Sequence, residues 1–196
     1  MRPKSWLPAP LAFFTALLGV EVAAEPVAQQ PLTAAIAAQP TVYTSAGAPQ
    51  GCGLRLFAAH VAANRWIVAV ETAIDVYGDG TAALKGGVFE FAAPAPGRTP
   101  NPDPVAIEAV WVKAPDMGMT TPVLDRMDKG AGGYSLRYAI NADSAIAVML
   151  SAMKGESILF GFKRSANSDE PIFIGAPKMA RNETEQLQRC IANLTR

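Results

Sequence analysis

Asp75 and Asp79 are the residues of this chain with the plainest capacity for chemistry, two carboxylates flanking Tyr77 at a Gly78-Asp79-Gly80 turn. Such a pair can serve as general acid and base or hold a cation. The ligand series of a calcium loop is missing, however, and Asp-Gly is the common hairpin signature, so the spacing predicts a turn. His60 is the single histidine, so any histidine base must be this one. No Gly-x-Ser-x-Gly turn occurs and no serine stands beside an orienting acid, so His60 reads as a surface or edge residue at a strand end. No catalytic residue is assigned. Met117 and Met119 lie in an apolar connection, Met117-Gly118-Met119-Thr120-Thr121-Pro122, just after Trp111. Methionines in such a loop can tuck over an open sheet face, form an adaptable contact surface, or donate thioethers to copper(I). Sheet cover is the first expectation, and a partner or ligand contact through Trp111, Met117 and Met119 the second.

One histidine and two cysteines are too few for a zinc site built from several such ligands, and neither a metal nor another cofactor is expected. The cysteines, Cys52 and Cys190, take their meaning from the start of the chain. Arg2 and Lys4 precede the apolar run Leu11 to Val20, and Val22-Ala23-Ala24 supplies small residues before Glu25. That layout predicts a secretory signal peptide over residues 1–24, cleaved near Ala24, and the run is too short for a membrane anchor. A periplasmic or secreted location follows. In an oxidising compartment two cysteines predict one disulfide, Cys52 to Cys190. No Cys-x-x-Cys pair is present to suggest redox catalysis.

The elements that must position these residues follow from periodicity. Residues 25–51 are rich in Ala, Pro and Gln, and Pro26, Pro31, Pro40 and Pro49 suggest a linker, with a hint of strand only at Thr41-Val42-Tyr43. Beyond Cys52 the pattern alternates in twos. Strands are predicted over 52–61 and 66–77, with a return strand over 81–91 in which Gly86-Gly87 marks a bulge or bend. A proline-rich loop reaches Pro104, strands follow over 105–113 and 134–140, and Asn141 or Asp143 caps a helix to Lys154 whose stripe is Ile146, Met149, Leu150 and Met153. Two more strands and a closing helix capped by Asn182 and Glu185 complete the chain. Its stripe of Leu187, Cys190, Ile191 and Leu194 turns Cys190 inward. Residues 52–196 thus form a single β-rich domain of α+β class, a mostly antiparallel sheet or sandwich of seven to nine strands with two late helices and one disulfide.

The order of a helix ending in Met153-Lys154-Gly155, a strand Ile158-Leu159-Phe160-Gly161-Phe162, a strand Ile172-Phe173-Ile174-Gly175 and a closing helix resembles bacterial secreted domains of the invasion-associated locus B type. The resemblance implies an exported β-sandwich without an established catalytic centre and transfers no functional residue. The upstream cysteine arrangement of that family is absent here, and one bond of long span takes its place.

Charge narrows the partners. Lys and Arg total 17, as do Asp and Glu, and cleavage removes Arg2, Lys4 and Glu21 to leave a net charge of −1. Lys163-Arg164 is the longest basic run of the mature chain, which argues against nucleic acid as a partner. The expectation is a non-catalytic exported protein, an envelope accessory or partner-binding module without a transmembrane segment. The alternatives are a small periplasmic hydrolase using carboxylates and a carrier of a small apolar ligand.

Overall fold

A computed structural model of the chain describes residues 31–62, 66–93, 102–115, 123–124, 136–165 and 170–194. Twelve strands are present among them: β1 (Leu32–Thr33), β2 (Ile36–Ser45), β3 (Ala48–Val61), β4 (Trp66–Tyr77), β5 (Ala82–Ala92), β6 (Asp103–Val105), β7 (Ala109–Lys113), β8 (Val123–Leu124), β9 (Leu136–Ile140), β10 (Ile158–Lys163), β11 (Ile172–Gly175) and β12 (Pro177–Lys178). Two helices, α1 (Ala142–Met153) and α2 (Arg181–Leu194), complete the architecture. It is an α+β sandwich of two unclosed, mostly antiparallel sheets, tied by a disulfide between Cys52 and Cys190.

The larger sheet runs β12-β2-β3-β4-β5-β9-β8, with β6 also beside β5. Alternation sends Leu54, Leu56, Val70, Ile74, Val76, Leu84 and Val88 to one face, where they are buried. That face is covered by α1, α2 and the smaller sheet, ordered β1-β11-β10-β7, whose Phe160 and Phe173 stack with ring centroids 5.6 Å apart. Chain segments pass between the sheets twice in parallel: β1 beside β11 in the small sheet, then β2 beside β12 in the large one.

The first strands correct the expected linker. Of the expected linker over 25–51, residues 25–30 lie outside the described residues, and from Leu32 on β1, β2 and the start of β3 take the place of a spacer, because Ile36 and Ala38 alternate inward and Pro40 and Pro49 sit where a strand tolerates them. At Pro40 the short β12 has already ended, so β2 has a neighbour on one side only and the missing N–H removes no ladder bond there. Pro49 lies at a register irregularity beside the tight Ser45–Ala48 hairpin, whose central residues Ala46 and Gly47 both have positive φ.

Gly86 also has another cause than the predicted bulge. β4 and β5 pair without interruption from Trp66 opposite Ala92 to Val76 opposite Ala82. A Cβ at Gly86 would lie 2.6 Å from the Val110 side chain of β7, so glycine is what lets the two sheets approach.

The helices form as predicted, with two shifts. Asn141 caps α1 by accepting a bond from the Ser144 N–H, but the buried face is Ala145, Val148, Met149 and Ala152, and Leu150 points outward. Small residues let the helix sit close on β4 and β5, and that decides which face is inside. In α2 the reaching carboxylate is Glu183, which accepts from the Ala180 N–H, while Glu185 pairs along the helix with Arg181. Leu187 and Cys190 are buried as expected.

Candidate functional site

The face of the large sheet turned away from the helices carries an ordered set of polar and aromatic side chains. On β3 it holds Gly51, Gly53, Arg55, Phe57 and Ala59; on β4, Tyr77, Asp75, Ala73, Glu71 and Ala69; on β5, Ala83, Lys85, Gly87, Phe89 and Phe91. Three zones follow one another along the strands.

The first zone centres on Asp75, which is 1% exposed. The Tyr43 hydroxyl donates to its Oδ1 at 2.8 Å, and the Lys85 ammonium lies 2.7 Å from its Oδ2 as an ion pair. Lys85 also stands 5.9 Å from the centre of the Tyr43 ring. Tyr43 reaches Asp75 from β2 across the whole width of β3, which is why Gly53 lies between them. A Cβ there would run into the Asp75 carboxylate, and the rings of Tyr43 and Tyr77 close over neighbouring Gly51 with centroids 5.7 Å apart. A buried carboxylate is tolerable when a cation and a hydrogen-bond donor both meet it, and here both do.

The second zone is the ion pair of Arg55 and Glu71, with Arg55 Nε 2.7 Å from the carboxylate and the guanidinium 5.3 Å from the centre of the Phe57 ring. The third is an apolar trough of about 470 Å³. Ala59 and Ala69, directly paired across β3 and β4, form its floor, and Phe57, Phe89, Phe91 and Pro102 rise beside it. Glu71 also lines it.

The carboxylates singled out in the sequence are separated by their partners. Asp79 lies in the turn as predicted, exposed, and accepts from both the hydroxyl (2.7 Å) and the N–H (2.9 Å) of Thr81, which hold its carboxyl below the usual range. Asp75 is no turn residue; it is the buried centre of the first zone. His60 is half-buried near the end of β3, opposite Val68 and on the other face from Asp75. Among the described residues no cluster of three or more His, Cys, Asp or Glu is placed to hold a metal ion. Trp111 lies on the outer side of the small sheet, its indole over Gly161 of β10, while Met117 and Met119 lie outside the described residues.

Sequence reasoning missed Tyr43, Lys85 and the phenylalanine trough. A signal for Lys85 existed: once Gly78-Asp79-Gly80 is a hairpin, its register sets Lys85 opposite Ala73 and diagonal to Asp75. Comparison with protein-family models, with curated proteins and with solved structures finds no match for this chain.

Proposed function

We propose that this chain is an exported, non-catalytic binding protein, periplasmic or secreted after loss of residues 1–24, that serves as an envelope accessory or partner-binding module. One observation carries the reading: on the outer face of the large sheet the carboxylates of Asp75 and Glu71 are each met by a basic side chain, and beside them lies a preformed apolar trough. Such a face is suited to contact, and among the described residues it holds no assembled nucleophile, base and orienting acid. The disulfide and the absence, among the described residues, of a helix long and apolar enough to cross a membrane fit this reading, as does the resemblance of the last third to secreted domains. The hydrolase alternative is weakened because Asp75 and Asp79 have separate partners.

The test is isolation of the protein from its own host, with crosslinking in the native envelope. A mature N-terminus at Glu25, both cysteines oxidised and a specific crosslinked partner are the expected results. Material beginning at Met1 with free thiols, or hydrolytic turnover lost in Asp75→Ala protein of unchanged melting temperature, would overturn the reading.

A further inference from the structure

We infer that the trough on the outer face of the large sheet is a binding site for an uncharged, hydrocarbon-rich small molecule. This inference rests on the binding-protein reading and names the ligand class for that same face. A cavity of about 470 Å³ falls within the range of small-ligand sites, roughly 300–1,000 Å³. Its shape comes from the sequence: at the paired positions Ala59 and Ala69 the two central strands carry methyl groups, while Phe57 and Phe89 stand on the same face. The result is a depression with aromatic flanks.

Charge selects the occupant. Glu71 is the ionisable side chain in the lining, and Arg55 already neutralises it. A cationic ligand would compete with Arg55 for that carboxylate, and an anionic one would face it; a neutral molecule does neither. The apolar surface also continues past the trough. Ile67 and its cross-strand partner Val61 extend the same face, and Val61 is 62% exposed. An apolar surface that runs on from the trough to Val61 suits an elongated ligand. A docking protein would need about 800 Å² per partner, beyond what the trough alone offers.

Titration of the mature, disulfide-bonded protein with the neutral fluorophore N-phenyl-1-naphthylamine tests the inference. Saturable enhancement at one site per chain is expected, with at least tenfold weaker binding in Ala69→Leu protein and unchanged binding in Leu150→Ala protein, altered on the exposed side of α1. Ala59→Leu fills the floor from the neighbouring strand and should weaken binding likewise, which keeps the test valid if Ala69→Leu protein misfolds. Dodecanol should displace the fluorophore at least tenfold better than laurate or dodecyltrimethylammonium. No saturable binding, full binding by a correctly folded Ala69→Leu or Ala59→Leu variant, or equal displacement by the charged chains would overturn the inference. A crosslinked partner in the absence of fluorophore binding would sink the ligand site alone, whereas a cytosolic protein with both thiols free that still binds the fluorophore would sink the export reading alone.

Discussion

Asp75 shows how one side chain changes meaning between a sequence and a fold. Beside Gly78-Asp79-Gly80 it reads as part of a turn, yet it lies buried between the Tyr43 hydroxyl and the Lys85 ammonium. Removing one partner of a buried pair costs roughly 3–5 kcal/mol, and because the Lys85 side chain is 22% exposed, Asp75→Asn should cost about 2 kcal/mol. Tyr43→Phe removes a bond to a charged acceptor, worth about 1.5 kcal/mol. Chemical denaturation of the two single variants and the double should give non-additive losses, since both changes act on one carboxylate. Thr72 presents the reverse case. It is wholly buried on the core face, and among the described residues its hydroxyl has no hydrogen-bond partner. Thr72→Val should therefore stabilise the protein by about 1 kcal/mol, read calorimetrically as a melting temperature roughly 2–4 °C higher.

At the scale of elements, β3, β4, β5 and the two helices were legible because alternation and capping are local signals. Asn141 begins α1 and Cys190 faces inward as the spacing predicts. β2 was not legible, since its tolerance of Pro40 depends on where a strand from the far end of the chain stops pairing. Gly86 is misread for the same kind of reason: its cause, Val110, belongs to another sheet. Gly86→Ala should destabilise by about 1–3 kcal/mol through overpacking, and Val110→Ala in the same chain should recover part of that loss. Urea unfolding of the three variants checks this. Equal losses with and without Val110 would place the glycine's role elsewhere.

Across the whole molecule, the Cys52–Cys190 bond joins residues 138 positions apart and fastens α2 to β3. Closing so long a loop restricts the unfolded chain by about 5 kcal/mol in the chain-entropy account. Changing both cysteines to serine should lower the midpoint of denaturation by a correspondingly large margin, and dithiothreitol should do the same to the native protein but not to the double variant. The bond also anchors β3, the strand that supplies Phe57 and Ala59 to the trough, so its loss should loosen that face along with the core.

The sequence by itself determined the α+β class, the central antiparallel strands, the two helices and the pairing of the cysteines. Each of these follows from periodicity, capping or composition within a short stretch, or from there being two cysteines alone. Tertiary structure decided which strand edges are open to proline, which face of α1 is buried, and that Tyr43, Asp75 and Lys85 meet beside a phenylalanine-lined trough. Those outcomes depend on which distant strands become neighbours and in what register, and no local pattern of side chains encodes that.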